Sequence, residues 1–248
     1  MTKKLEEVEK FNSNLICPLC GKKTAQHNGK KYISCEDIPP KCVFIDRNDK
    51  RGLIKVPSCD GCNNKTSAQD EKFKYQLSLL LGLDTDQKKQ FWNSCRKTLK
   101  SKPVWREAVL KNTSSLLMPY GKGHGHPVKM DVLPVRTVVT KIIRGLHWYL
   151  TGEIIPPDVK PSIRILEQGC SLDGNLLAMF NKFGKSIQKC ENQFEAIYAL
   201  AEDCKYGSAW LLRFYGQDCF LAFLRSSKKE PKRILLNKSE PVRKVAIF

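Results

Sequence analysis

The stretch "GLIKVPSCDGCNNKTSAQDEKFKYQL", residues 52–77, runs a short β-like segment into a CxxC turn and then into a helix. A CxxC turn presents two thiolates at the separation one metal ion requires, and a tetrahedral ion needs two such turns. The second turn lies upstream in "CPLC", residues 17–20, with 38 residues between the two pairs. Gly21 after the first pair and Asn63-Asn64 after the second supply tight-turn chemistry. The spacing therefore predicts a structural Zn²⁺ held by Cys17, Cys20, Cys59 and Cys62. Cys35 and Cys42 also lie between the pairs, but their spacing is not that of a knuckle, and partly buried thiols are the simpler reading. After the second knuckle, "SAQD" from Ser67 has the shape of a capping box, and Gly82 is a plausible stop for the helix it opens.

Composition supports metal ligation over disulfides. "MTKKLEEVEK" has no apolar segment behind its lysines and does not read as a signal peptide, so a cytoplasmic location is expected. Reducing compartments keep thiols free, and the 11 cysteines are odd in number. Cys95, Cys170, Cys190, Cys204 and Cys219 are scattered and read as small buried apolar residues. With 43 Lys+Arg against 25 Asp+Glu, the formal net charge is +18, spread along the chain rather than confined to one tail. Such a field favours a polyanion, nucleic acid first, over a lipid surface. No apolar run is long enough for a membrane span.

Three regions follow along the chain. Residues 1–82 hold the knuckles. Residues 83–130 read as a basic helical connector, with Phe91, Trp92, Cys95 and Leu99 on one stripe and cations opposite, ending in the Gly-rich loop "PYGKGHGHPVKM". His124 and His126 in that loop can bind metal or phosphate, though a mobile surface loop is the plainer reading. Residues 131–248 open with the clearest helix, "PVRTVVTKIIRGLHWYLTG". Its Val135, Val138, Val139, Ile142, Ile143 and Leu146 form a core face, and Arg136, Lys141, Arg144 and His147 occupy the other, with His147 expected at the surface. Pro134 suits its first turn and Gly152 its C-terminal cap. Beyond it, "SIRILEQ", "FEAIYALAE", "SAWLLRFYG" and "CFLAFLR" read as strands, with one helix over "GNLLAMFNKFGKSIQK" and a basic tail. The fold class is α+β, the C-terminal part being an antiparallel sheet covered by helices.

One acid pair stands out in this basic chain. In "ISCEDIPPKCVF", Glu36 and Asp37 precede Pro39-Pro40, and a zinc closing the two knuckles draws them toward Asn63. Carboxylate and amide oxygens suit Mg²⁺ or Mn²⁺, and a hard cation there can polarise a phosphate. The alternative is a solvated turn. Asp70 and Glu71 offer another ligand, or simply favour the N-terminus of their helix.

"CPLCGKKT", "SCEDIPPKCVF" and "GLIKVPSCDGCNNKTSAQDEKFKYQL" together resemble the zinc-knuckle branch of the HNH endonucleases, whose fold is ββα-metal. "KIIRGLHWYLTGEIIP" and "SAWLLRFYGQDCFLAF" are similar to the C-terminal part of little-characterised bacterial HNH-containing proteins. The resemblance implies a metal-dependent endonuclease with Glu36, Asp37 and Asn63 holding the catalytic ion. Lys65 matches the family's basic residue and, with Lys41, is a candidate contact to nucleic acid, DNA favoured. It also implies a role in antiviral defence. Two departures matter: Asp37 stands where the family has its general-base His, and Gly52 where it has its middle Asn. His27, His124 and His126 are substitute bases that nothing in the sequence separates. Two functions are therefore carried: an HNH-type nuclease, and a degenerate HNH-like zinc module that binds nucleic acid without cutting. A third, a zinc scaffold for protein contacts, leaves the lysines unexplained. A partner protein or a second copy, docked through residues 131–248, is the expected protein partner.

Overall fold

The computed structural model describes residues 16–22, 34–45, 53–101, 107, 131–166, 170, 172–202, 204 and 206–225. His27, Gly52, the Gly-rich loop with His124 and His126, and the basic tail lie outside them, as does "PVWREAVLKNTSSLL" apart from Glu107.

The chain begins, after the first knuckle, with an antiparallel hairpin of β1 (Ser34–Ile38) and β2 (Ile54–Ser58), paired from Ser34↔Ser58 to Ile38↔Ile54. Alternation along each strand sends Glu36, Ile38, Ile54 and Val56 inward and Cys35 and Lys55 to solvent. A short turn of helix, α1 (Asp60–Asn63), carries the second knuckle into α2 (Ser67–Leu80), and an αα-hairpin leads to α3 (Asp86–Ser101). Helix α2 begins where the sequence places it, but not by the expected cap. Thr66 is the N-cap, its hydroxyl donates back to the Cys62 carbonyl at 2.7 Å, and Asp70 turns inward.

The long helix α4 (Val132–Thr151) is capped by Asp131, which accepts from the Leu133 amide, and ends at Gly152 with φ 74°. Its core face is as expected, with Val138, Val139, Ile142, Ile143 and Leu146 fully buried. Its other face is a correction. Arg136 is exposed, but Lys141, Arg144 and His147 are buried, at 4%, 3% and 2% exposure. The helix is covered on both sides, because the β1–β2 hairpin lies directly on it. A Cβ at Gly145 would stand 2.7 Å from Ile38 Cγ1, so glycine is what allows the approach.

The second half is a five-stranded antiparallel sheet of order β3-β7-β6-β5-β4. Its strands are β3 (Ser162–Ile165), β4 (Lys185–Lys189), β5 (Phe194–Leu200), β6 (Ser208–Phe214) and β7 (Gln217–Leu224). Tyr215 and Gly216, at φ 52° and 75°, make the two-residue turn between β6 and β7. Helix α5 (Gly174–Phe183) is shorter than the sequence suggests. Gly184 adopts extended φ/ψ, and "KSIQK" becomes edge strand β4 instead of helix, its backbone satisfied by pairing to β5.

The sheet is buried on two faces. Leu211, Leu221 and Ala209 meet α5 through Phe180 on one. Trp210, Leu212, Phe214, Phe220 and Ala222 on the other belong to a single core that includes Phe73 of α2, Phe91 of α3 and the apolar face of α4. Phe73 packs against Phe214 and Phe220 at ring separations of 6.2 and 5.6 Å, and Phe91 against Tyr215 at 5.0 Å. The knuckle region and the sheet thus share one core. Polar bridges seal the join: Tyr215 Oη donates to the Val43 carbonyl at 2.8 Å, and the Ile45 amide to Gln193 Oε1 at 2.9 Å. Among the described residues, no helix is long and apolar enough to cross a membrane.

Candidate metal centre and a buried ion network

The two knuckles meet. The first closes with the Gly21 amide donating to Cys17 O at 2.8 Å and Gly21 at φ 69°; the second with the Cys62 and Asn63 amides both donating to Cys59 O at 3.0 Å. The Sγ atoms of Cys17, Cys20, Cys59 and Cys62 all lie within 4.8 Å of one another, and Cys20 and Cys59 Sγ are 3.8 Å apart. A Zn–S distance of about 2.3 Å in a tetrahedron demands a sulfur–sulfur edge of about 3.8 Å. The donor set and its spacing fit a metal ion such as zinc. Cys35, exposed on the outer face of β1, and Cys42, whose thiol donates to Asp70 O at 3.4 Å, stand apart from it.

Four thiols this close cannot all ionise unaided. A hydrogen bond from Cys62 holds Cys17 down at about 5, burial pushes Cys20 up to about 11, and the bond to Cys17 pushes Cys62 up. A divalent cation is what lets all four bind as thiolates. A permanent charge already lies nearby. The buried Arg144 guanidinium donates to the carbonyls of Ile155, Pro156 and Val159 at 2.8, 2.7 and 2.9 Å. Burial lowers its pKa, and the field of Cys20, Cys62 and Cys17 opposes that. The same loop receives the first knuckle: a Cβ at Gly21 would stand 2.9 Å from Pro157 Cδ and 3.1 Å from Ile155 O. Arg144 therefore fixes the wall against which the knuckle folds.

One helical turn earlier sits the second polar feature. Lys141 Nζ donates to Glu36 Oε1 at 2.7 Å, to both Asp70 oxygens at 2.9 Å and to Thr66 Oγ1 at 3.1 Å. The three charged side chains are 4%, 7% and 12% exposed. Burial pushes the Glu36 and Asp70 carboxyls up from their ordinary values. Burial would lower Lys141, but the two carboxylates win and raise it. The network ties β1, α2 and α4 together, with two acids to one ammonium.

Comparison with known protein families, curated proteins and solved structures returned no match. The likeness to HNH endonucleases therefore rests on the motifs, and the geometry has to carry the chemistry.

The acid pair falls differently from the way those motifs imply. Adjacent residues of a strand face opposite ways. Glu36 points inward to Lys141, while Asp37 stands across the ladder from Lys55 on the outer face. Asn63 directs its amide to Ser34 Oγ at 2.7 Å. The two acids of the pair therefore face opposite sides of β1, with Asn63 meeting Ser34 on the Glu36 side. Among the described residues, the four cysteines are the one group of three or more Cys, His, Asp or Glu placed to hold an ion. Lys65 is exposed and Lys41 half-buried, in separate turns.

In the sequence Asp70 reads as a further metal ligand or a first-turn acid, and Lys141 and Arg144 as a polar face, so their pairing inside the fold is not legible there. The signal that finds them is Gly145 within "KIIRGLHWYL", a small residue that lets another element press onto the polar side. His147 is a further correction: both ring nitrogens are buried without a hydrogen-bond partner, 6.3 Å from the Tyr206 ring, and burial lowers its pKa below 6.5. The unfolded chain then takes up a proton below pH 6.5 that the folded one refuses, so His147 costs stability as pH falls. Between pH 7.5 and 5.5 the wild type should lose about 1 kcal/mol relative to His147→Phe. Urea titrations at both pH values check this; parallel losses would show a hydrated imidazole.

Proposed function

We propose that this chain is a zinc-stabilised, HNH-like nucleic-acid-binding protein that does not cut. Zn²⁺ held by Cys17, Cys20, Cys59 and Cys62 supplies the structural staple, and the +18 charge supplies the attraction for polyanions. The order β1, β2, knuckle, α2 supports a ββα arrangement of the HNH kind.

The observation that carries the non-cutting half is the position of Lys141. Metal-assisted phosphodiester hydrolysis needs acid oxygens that face a partly hydrated ion with room for substrate. Here an ammonium fills the space between Glu36 and Asp70, inside the protein. A carboxylate bound this way is a structural counter-ion for a lysine. Glu36 Oε1 and both Asp70 oxygens are thereby occupied by the lysine.

The test offers purified protein supercoiled plasmid, linear DNA and single-stranded RNA in Mg²⁺ or Mn²⁺, with binding titrated at two salt concentrations. Salt-sensitive binding with intact substrate is expected. Metal-dependent cleavage that disappears in a zinc-replete Asp37→Ala/Asn63→Ala variant would establish the endonuclease and overturn the non-cutting reading.

A further inference from the structure

Helix α3 contains five cations and a single acid in 16 residues. Its inner side is clamped. Phe91 and Cys95 are buried in the core, and the Cys95 thiol donates to Lys74 O at 3.9 Å. Buried Lys88 reaches Asp84 at 2.8 Å and Gln217 Oε1 at 3.0 Å, while Lys74 Nζ donates to Ser94 Oγ at 2.9 Å. The outer side is open. Lys89, Gln90, Asn93, Arg96, Lys97 and Lys100 are all exposed. At 100° per residue these six fall within a sector of about 120°, and Lys89 to Lys100 spans about 16 Å of helix.

A helix that merely faces water usually interleaves both signs at i,i+4 spacing. This face does not: its one acid, Asp86, sits in the first turn and pairs with Lys89 at 3.1 Å, and every later charge is positive. The amides of Gln90 and Asn93 share this face with the guanidinium of Arg96. Those are the groups that match adenine and guanine edges, and lysines suit phosphates as point charges. A rigid helix with such a face has the shape for the major groove of B-DNA, about 12 Å wide. The major groove of duplex RNA is too narrow to admit it.

Building on the nucleic-acid-binding reading above, we propose that α3 is the DNA-contacting helix of this protein, docking its Lys89–Lys100 face in the major groove of a duplex. Arg96, Lys97 and Lys100 carry the contact, with Asn93 placed between them and Lys89.

The experiment measures binding of the full chain to a 24-bp mixed-sequence DNA duplex, and to the RNA duplex of the same sequence, across a salt series. The variants are Arg96→Ala/Lys97→Ala/Lys100→Ala and, as a control on α5 and β4, Lys182→Ala/Lys185→Ala. All five side chains are exposed, so the variants should fold, which circular dichroism and metal content confirm. If α3 holds the duplex, the triple variant binds DNA roughly 30-fold more weakly. Its log–log salt slope shrinks by about 2 to 3, near 0.9 for each phosphate left unneutralised. The control should stay within about twofold of wild type on the same scale. Undiminished DNA binding by the triple variant would overturn the assignment to α3 while leaving the proposed function intact. Equal affinity for RNA and DNA duplexes would overturn the groove-docked form. A wild type that binds neither nucleic acid would remove the proposed function and this inference together.

Discussion

Chelating the metal proposed for the four-cysteine site, or replacing Cys59 with serine, is expected to lower the melting temperature by more than about 10 °C. Structural zinc sites bind with apparent free energies of about 10–16 kcal/mol, comparable to the whole net stability of a domain. In the fold, the first knuckle is the end of a segment whose Cys17 and Leu19 are buried, and the four thiols join it to α1 and β2. Without an ion, burial favours the protonated Cys20 thiol and the bond to Cys17 the protonated Cys62, so only weak thiol hydrogen bonds hold the cluster closed. The damage should not stop at the knuckle, because β1, α2 and the sheet share one core. The measurement is metal content per chain together with thermal melts of wild type, Cys59→Ser and Cys35→Ser. Cys35 is exposed and outside the cluster, so its variant should keep both metal and melting temperature. A Cys59→Ser protein that melts like wild type would remove the structural metal from the account.

The parts of this architecture that were legible in the sequence are those fixed by local rules. The two CxxC turns point to the four-cysteine cluster, because the spacing a tetrahedral ion requires is tighter than any propensity. Strands β5, β6 and β7 follow from their apolar patterning, and α4 from a 3.6-residue period ended by Gly152. What was not legible depends on partners distant in sequence. "KSIQK" has no strand signal of its own; it becomes β4 because β5 offers an edge to pair with. Lys141 meets Glu36 across 105 residues, and no periodicity reveals that contact. A helical polar stripe reads as solvent-facing unless something covers it, and here a hairpin does.

The same long-range burial limits how far the HNH likeness can be read as activity. Residue types at motif positions say which atoms are available. They do not say which way a strand presents them. Glu36 and Asp37 are adjacent in sequence and back to back in space, so a pair that looks like a chelate supplies one buried counter-ion and one acid on the outer face. Conversely, the sequence already sets cations opposite the Phe91 and Cys95 stripe of α3, and the structure adds that Lys88 turns inward, leaving Lys89, Arg96, Lys97 and Lys100 as the exposed charges of that face.

Replacing Lys141 with methionine should destabilise the protein by roughly 3–5 kcal/mol, because it strands two carboxylates inside the fold without their cation. The pair cannot relax into water: Glu36 and Asp70 are nearly as buried as the lysine between them. Glu36→Gln should cost far less, since it removes the acid in excess and leaves Lys141 paired with Asp70. Combining Lys141→Met with Glu36→Gln and Asp70→Asn should recover much of the loss, as expected when the penalty is an uncompensated charge and not missing volume. The pH dependence distinguishes this from simple packing damage. Both carboxyls already titrate above their ordinary 4.5 and 3.8, and losing the ammonium raises them further. A group with a raised folded pKa keeps its stability below the unfolded value and loses it as pH rises through the folded one. The deficit of Lys141→Met relative to wild type should therefore shrink as pH falls from 7 toward 5, in denaturant titrations of both proteins. A deficit under about 1 kcal/mol that ignores pH would mean the three charges are solvated. Lys141 would then no longer be what keeps Glu36 from a metal.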